Sequence, residues 1–168
     1  TSEIIENFIR NKIKFRTITT SEPKGNLKGK ARAIDEGIKI ASGEIILTTD
    51  ADCTVSPLWA KTIASYYHDD VAMVCGYTHQ FDNSSFTGMQ AVDFIYLLTV
   101  AAGTMNFNKP LSCIGNNMSY RRDVYNEIGG YEKIPFSVTE DFQILMNVHN
   151  LKKYKIIYPI DYGSVVIS

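Results

Sequence analysis

Two aspartates one residue apart, in the segment Asp50-Ala51-Asp52, follow a short apolar run of the chain. The run at residues 44–49 is typical of a buried strand, and ligands of α/β sheets usually bind at the carboxyl ends of the strands. On an extended backbone both carboxylates point to the same side. There the two could bind one divalent cation together, or one could bind a cation and the other a ribose. Such hard cations commonly also bind substrate phosphates. The segment predicts chemistry on a phosphorylated substrate, and the alternative is a polar loop that caps a helix after Pro57.

A basic turn lies in the same predicted unit, where Lys28 and Lys30 flank Gly29 directly before a predicted helix. Helix N-termini attract anions, and glycine lets backbone amides approach a phosphate. Taken alone, the turn is more typical of a solvated loop. Its place 20 residues before Asp50, in one loop–helix–strand unit, brings the two loops to the same edge of the sheet and favours a contact with phosphate.

Two further acids occur in Thr139-Glu140-Asp141, at the start of another predicted helix. A threonine cap followed by acids in the first turn is favourable helix chemistry, and this explains the acids fully. The functional alternative is that one of them is a general base at the end of the sheet. A fourth segment, Gly115-Asn116-Asn117, has the residue types of a tight turn or of hydrogen-bond donors near a ligand.

The composition is that of one ordinary globular domain. The chain has 168 residues, is 45% apolar and carries a formal net charge of −1, so nothing indicates the basic surface that bulk nucleic-acid binding favours. Cys53, Cys75 and Cys113 are widely spaced and odd in number. A disulfide framework or zinc knuckle is therefore not expected, and reduced thiols are.

The hydrophobic periodicity alternates between helices and strands. Helices are predicted at residues 2–10, 30–41, 57–67, 86–105, 122–128 and 139–150, and strands at residues 13–18, 44–49, 71–77 and 156–158. The order helix, strand, helix, strand, helix, strand implies parallel strands with crossover helices. The predicted fold class is therefore α/β, with a mostly parallel sheet flanked by helices.

The helix predicted at residues 86–105 has more apolar residues than one buried face requires. A buried core helix is the favoured interpretation, and contact with a membrane surface or with further parts of the protein is the alternative. The longest apolar run, at residues 94–102, is shorter than the roughly 20 residues of a membrane span.

Taken together, these motifs resemble the family 2 glycosyltransferases, which are inverting enzymes with the Rossmann-like GT-A fold. The matching series is Gly29-Lys30-Ala31, Ala41-Ser42-Gly43-Glu44, Asp50-Ala51-Asp52, Gly115-Asn116-Asn117, Arg121-Arg122, Gly129-Gly130-Tyr131 and Thr139-Glu140-Asp141. Each motif is weak alone, whereas the ordered set is specific. The Thr-Glu-Asp form looks most like the branch with cellulose, hyaluronan and chitin synthases and ceramide glucosyltransferases, many of them membrane-embedded.

The resemblance implies a role for each site residue. Asp50 would lie against the donor nucleotide as a second candidate metal ligand, and Asp52 would coordinate Mn2+ or Mg2+ on the diphosphate. Lys30, preceded by Gly29, would lie near the phosphates or the ribose of the donor. Asp141 would be the base that deprotonates the acceptor hydroxyl, with Glu140 beside it.

The implied reaction is the inverting transfer of a sugar from a nucleotide-sugar, expected to be a UDP-sugar, to a hydroxyl of a glycan or lipid. The resemblance also places the parent protein at the cytosolic face of a membrane. Residues 1–168 are expected to form a single partial catalytic domain, without the first nucleotide-binding strand–helix unit of the family and without its Gln-x-x-Arg-Trp motif. The isolated chain is therefore expected to bind UDP-sugar weakly or not at all and to lack turnover.

Two other functions fit parts of the sequence. Residues 47–54 match the Asp-x-Asp-x-Thr strand end of haloacid-dehalogenase-like phosphatases, in which the first aspartate, here Asp50, is the nucleophile. That motif normally opens its domain, whereas here the Gly-Lys-Ala unit comes first. The second alternative is a non-catalytic binding or scaffold domain, against which the intact Asp50, Asp52 and Asp141 count.

Overall fold

The fold contains both helices and strands, and the computed structural model describes residues 2–20, 27–134 and 139–168. The helices are α1 (Ser2–Ile9), α2 (Gly29–Ile40), α3 (Trp59–Ser65), α4 (Ser85–Asn106), α5 (Arg122–Glu127) and α6 (Glu140–Asn150). The strands are β1 (Ile45–Thr48), β2 (Thr54–Val55), β3 (Val71–Cys75), β4 (Thr78–His79), β5 (Met118–Arg121), β6 (Lys155–Ile157) and β7 (Val166–Ile167). Short 3₁₀ segments occur at Gly115–Asn117, Tyr131–Lys133 and Tyr162–Ser164. The predicted α/β class is confirmed.

The main sheet has four strands in the order β1-β5-β3-β6. Strand β5 pairs antiparallel with both β1 and β3, and β3 pairs parallel with β6. It follows that β1, β3 and β6 run in one direction, as the alternation of helices and strands predicts, and that the inserted β5 makes two of the three pairings antiparallel. A smaller sheet of three short strands has the order β2-β7-β4.

Strand β5 was not predicted, because the turn chemistry of Gly115-Asn116-Asn117 dominates the sequence just before it. Its four residues are too few to show a clear period of two. The strand forms because its neighbours on both sides supply the pairing, with Ser119 opposite Leu47 of β1 and Val74 of β3. It inserts between two strands that the sequence order would place side by side.

The strand predicted at residues 13–18 is wrong. This segment has no regular secondary structure, and Ile13 is 98% exposed. Its alternating pattern has no sheet to pack against in the described part of the chain. Phe15 instead packs edge-on against Phe8 of α1, with ring centroids 5.6 Å apart.

Helices cover both faces of the main sheet. Neighbouring residues of a strand point to opposite faces, and accordingly Ile46 belongs to the larger core cluster while Leu47 packs against the smaller one. The smaller cluster is centred on Ile63 of α3. The larger cluster contains buried side chains of α2, α4, α5 and α6. This layering holds β1 between two packed faces, and the largely exposed loop after it leaves the sheet at that edge.

Helix α4 is not the buried core helix that the sequence favoured. One face packs on the core through small and aliphatic residues, including Ala101 and Met105, whereas Phe86, Met89 and Tyr96 are each about two-thirds exposed. Among the described residues it is the one helix that has the length and composition of a membrane span, and only 22% of its most apolar stretch is buried. The uninterrupted apolar run at residues 94–102 is much shorter than helix α4 itself, which has 22 residues.

Candidate functional site

Strand β1 ends two residues before Asp50, and helix α2 begins beside it. Gly29 opens α2 with a φ of +56°, a left-handed conformation that glycine adopts without strain. The next residue, Lys30, reaches back across the sheet edge, and its Nζ lies 2.6 Å from Oδ1 of Asp50. The predicted approach of the two loops is therefore present. Because both side chains are more than a third exposed, this ion pair contributes at most about 1 kcal/mol to stability.

A cleft of about 640 Å³ runs between α2 and β1, and both Lys30 and Asp50 line it. Its walls also include Thr48 and Ala51. A slightly larger cleft, of about 670 Å³, lies at the opposite end of β1 beside Glu44 and has mostly charged walls. We assign the candidate site to the cleft at the carboxyl end of β1, because that is the end of a strand where α/β sheets bind ligands.

The first turn of α6 brings two more acids to the same place. The pKa of the Lys30 amine is lowered by burial, but the hydrogen bond and the charge of Asp50 outweigh this effect, and Asp141 and Glu140 add to the rise. Four residues from three separate segments therefore act on one another: Lys30, Asp50, Glu140 and Asp141. The segment was predicted to begin a helix, and α6 does begin there, although Thr139 at the N-cap makes no side-chain cap hydrogen bond.

Asp141 lies in an environment that favours the protonated form of its carboxyl group. Burial raises the pKa of its carboxyl group, the charge of Lys30 opposes the rise, and the charges of Glu140 and Asp50 add to it. Its Oδ1 is buried without a hydrogen-bond partner among the described residues. A separate pocket of about 390 Å³, lined in part by Cys113 and Phe142, reaches Asp141.

The carboxylate of Asp141 lies directly on Gly115. A Cβ atom at position 115 would come well inside 3.0 Å of Asp141, which is closer than real Cβ contacts. The backbone N–H of Gly115 favours the charged form of this carboxylate. The carbonyl of Gly115 in turn accepts a hydrogen bond of 2.9 Å from Oγ1 of Thr48, at the end of β1.

The structure does not bring Asp52 into this group. Its side chain is exposed, and the thiol of Cys53 lies 3.7 Å from its Oδ1. The chain turns between the two aspartates, because the N–H of Cys53 donates a hydrogen bond of 3.2 Å to the carbonyl of Asp50. The extended backbone on which a shared orientation depended is therefore absent. Within residues 2–20, 27–134 and 139–168, no cluster of three or more His, Cys, Asp or Glu side chains is arranged to hold a metal ion.

The segment with Asn116 and Asn117, which the sequence indicated as a tight turn or as donors near a ligand, has a structural role. Nδ2 of Asn117 donates to the carbonyl oxygens of Tyr77 and Ser164 at 2.7 and 2.8 Å, and its Oδ1 accepts from the indole of Trp59 at 3.0 Å. Thr78 donates a hydrogen bond of 2.7 Å to Oδ1 of Asn116. Both asparagines are buried. These hydrogen bonds anchor the segment that contains Gly115, and the two asparagines directly after that glycine were the only indication of this in the sequence.

Comparison with known proteins gives relatives of one kind. The family described as "Glycosyl transferase family 2" matches residues 1–129, which include Lys30, Asp50 and Asp52 but not Asp141. A protein of Bacillus subtilis (strain 168) named "Probable glycosyltransferase YdaM" is 23% identical over 163 residues, an alignment that covers 90% of this chain and 36% of that protein.

The fold is similar to that of a solved enzyme, the mannosyltransferase PcManGT from Pyrobaculum calidifontis in complex with GDP-Man and Mn2+. The TM-score is 0.61 at 20% identity, and the match covers 84% of this chain and 36% of that one. The chain thus spans little more than a third of the length of both relatives. At this identity the structural likeness shows a shared fold. Because the family match takes in 129 of the 168 residues, the chain belongs to the glycosyl transferase family 2.

Proposed function

We propose that the protein transfers a sugar from a nucleotide-sugar to an acceptor hydroxyl, with the help of a divalent cation. The observation that carries the proposal is the convergence of Asp50, Glu140 and Asp141 on the amine of Lys30, since these residues come from three separate segments. Such a transfer requires a positively charged side chain near the phosphates, acids that bind a metal ion and a partly buried base.

The donor side would be formed by Asp50 and Asp52. Mg2+ and similar cations take one or two carboxylates and complete their shell with phosphates and water. The exposed carboxylate of Asp52 is accessible to such a cation, whereas Asp50 is paired with Lys30 and separated from Asp52 by a turn, so Asp52 is the first proposed ligand and Asp50 the second. When bound, the cation would neutralise negative charge on the leaving diphosphate. Lys30 would exchange its contact with Asp50 for one with the phosphates or the ribose of the donor.

The acceptor side would be formed by Asp141. Its raised pKa makes it a better proton acceptor than an ordinary exposed carboxylate, and Asp141 lines a pocket that an acceptor could enter. The pocket of about 390 Å³ provides access to it from residues 111–113. If this pocket and the donor cleft lie on opposite sides of the reacting carbon, the displacement inverts the configuration of the sugar.

The donor could carry either UDP or GDP, and an experiment can distinguish the two. A UDP-sugar is the expectation from the sequence resemblance, whereas PcManGT, the structural neighbour, is solved with GDP-Man. A panel of UDP-glucose, UDP-N-acetylglucosamine and GDP-mannose with Mn2+ decides between uracil and guanine. The acceptor is proposed to be a hydroxyl of a glycan or a lipid.

We further propose that the protein works at the cytosolic face of a membrane, in support of which α4 exposes Phe86, Met89 and Tyr96. Flotation with vesicles of phosphatidylcholine and phosphatidylglycerol tests this. The wild-type chain should float with the vesicles, and Phe86→Ser/Met89→Ser should not. Equal flotation of both, or of neither, would remove the membrane proposal without affecting the transfer reaction.

The two alternatives from the sequence are weakened to different degrees. Membership in glycosyl transferase family 2 counts against a haloacid-dehalogenase-like phosphatase with Asp50 as nucleophile. A non-catalytic scaffold of the same fold is distinguished by ligand binding. Metal-dependent binding of a nucleoside diphosphate that Asp52→Ala abolishes is expected of the enzyme and not of the scaffold.

The experiment that tests the proposal measures release of nucleoside diphosphate from the donor panel by a protein that contains residues 1–168 in full. Activity should need Mn2+ or Mg2+, disappear in EDTA and return with the cation. It should fall at least 100-fold in Asp141→Asn and in Asp52→Ala, whereas an exchange at the exposed Asp69 should leave it unchanged. Full activity in Asp141→Asn would overturn the assignment of the base.

A further inference from the structure

We propose that Gly115 and Thr48 are positioning residues, which together hold the carboxylate of Asp141 at a fixed place relative to the end of β1. The inference rests on the proposed function, because it takes Asp141 to be the base. It goes further by assigning roles to two residues that carry no acid–base chemistry of their own.

The first step is the close approach of Asp141 to Gly115. A Cβ at position 115 would overlap all three atoms of the carboxyl group of Asp141. Gly115 has no positive φ, so its backbone is of a kind that other residues adopt. Glycine is therefore required here by the carboxylate above it, and a methyl group would displace that carboxylate.

The second step is the link from Gly115 to the donor side. Oγ1 of Thr48 lies 2.9 Å from the carbonyl oxygen of Gly115 and 3.0 Å from that of Met118. Thr48 is the last residue of β1 and stands two residues before Asp50. One hydroxyl thus ties the strand that carries Asp50 to the 3₁₀ segment on which Asp141 lies.

The consequence is a fixed spacing between the two sides of the site. A base must lie within hydrogen-bonding reach of the hydroxyl it deprotonates, and a misplacement of about 1 Å can cost roughly 100-fold in rate. Because the atoms that a new methyl group meets belong to the carboxyl group of Asp141 and not to the backbone, Gly115→Ala displaces that carboxylate first. The predicted effect is therefore on the chemical step.

The kinetic test compares variants of a protein that contains residues 1–168 in full, with Mn2+ and GDP-mannose or UDP-glucose, whichever the protein uses. Gly115→Ala should lower kcat about 100-fold and leave the donor KM unchanged, and the Tm of each variant shows whether it is folded at the assay temperature. Thr48→Val should lower kcat by a smaller factor, and Thr48→Ser, which keeps the hydroxyl, should restore most of it.

Matched controls make the same chemical changes elsewhere. Gly103 is a helical glycine where a Cβ would meet nothing within 4 Å, and Thr99 is an exposed threonine of α4 whose hydroxyl donates to the carbonyl of Ile95. Gly103→Ala and Thr99→Val should keep wild-type kcat. In an Asp141→Asn background, Gly115→Ala should cause no additional loss of kcat, since a residue that acts through Asp141 has nothing further to displace.

A spectroscopic test does not depend on activity. With aspartate labelled with 13C at its carboxyl carbon, the resonance of Asp141 is identified in the full 168-residue chain by its disappearance in Asp141→Asn. Gly115→Ala should shift this resonance, and Gly103→Ala should not. An unshifted resonance, or wild-type kcat in Gly115→Ala, overturns the positioning role. A shifted resonance combined with full activity of Asp141→Asn upholds the placement and rejects Asp141 as the base.

Discussion

The amine of Lys30 lies 2.6 Å from the carboxylate of Asp50, so a residue at the start of α2 partly neutralises the first aspartate of the candidate metal loop. The same amine lies in the field of Asp141 and Glu140. Lys30 is therefore placed between the donor side and the base, and its charge acts on both. A phosphate or a cation that enters the cleft has to rearrange this pair.

Replacement of Lys30 by methionine should shift the pH dependence of the reaction. The charge of Lys30 lowers the pKa of Asp141, so its removal lets that pKa rise further. A base is active when deprotonated, and the acid limb of kcat/KM should therefore move to higher pH. The measurement is a pH profile of nucleoside diphosphate release. Lys28→Met, at the exposed residue before Gly29, is the control, and an identical shift in both variants would contradict the specific role of Lys30.

Asp141→Asn should abolish turnover and retain the donor. The amide keeps the shape of the side chain but accepts no proton at neutral pH, and loss of general-base catalysis typically costs 10²–10⁴-fold. The Kd for the nucleoside diphosphate with Mn2+, measured by calorimetry, should change less than about threefold because Asp141 is on the acceptor side. A large loss of donor affinity with normal kcat would place Asp141 on the donor side instead.

The same variant should be more stable than the wild type at neutral pH. Burial raises the pKa of Asp141 in the folded state, so ionisation of this group favours the unfolded chain. The wild type loses this stability as the pH rises from the unfolded value, near 3.9, through the folded one. The difference in Tm between Asp141→Asn and the wild type should therefore be small at pH 3.5 and grow toward pH 7, by roughly 2–4 °C for each ~1 kcal/mol. A difference in Tm that does not depend on pH would contradict this account.

The sequence predicted those parts of the site whose position depends on local structure. Asp50 follows a buried strand, and Asp141 begins a helix, so strand and helix periodicity place both residues at the sheet edge. Lys30 lies in the first turn of α2, a helix that the hydrophobic periodicity also predicts. These elements form where propensity and burial pattern agree.

The parts that were missed depend on contacts between distant residues. Strand β5 exists because β1 and β3 pair with it on both sides, and residues 13–18 stay irregular because no sheet receives their alternating side chains. The turn that separates Asp50 from Asp52 is set by a hydrogen bond from Cys53. The close approach of Gly115 to Asp141 joins residues 26 positions apart, which no local pattern reveals.

Asn117→Ala should destabilise the fold by about 2–4 kcal/mol, because it removes three hydrogen bonds of a buried side chain. They join Asn117 to the carbonyl oxygens of Tyr77 and Ser164 and to the indole of Trp59, and the carbonyl of Tyr77 keeps a second hydrogen bond from the N–H of Val166. Urea unfolding followed by fluorescence measures the change, and Trp59 is the one tryptophan of the chain. The native emission should also shift, since the indole loses its hydrogen bond. Asn126→Ala, at an exposed position of α5, should change neither quantity, and equal effects of the two exchanges would contradict the role of Asn117.

The isolated 168-residue chain should bind donors weakly and turn none of them over. Strand β1 is an edge of the main sheet, and the cleft that contains Lys30 and Asp50 runs along this edge. Both relatives are much longer than this chain, which leaves room for additional walls of such a cleft. Among the described residues no strand pairs with the outer side of β1, and the backbone groups of such an edge can pair with another copy, so the isolated chain should self-associate at high concentration. Calorimetry with UDP-glucose and with GDP-mannose in Mn2+ should give a Kd of about 1 mM or weaker. Sustained glycosyl transfer by residues 1–168 alone would show that the described residues already form a complete donor site.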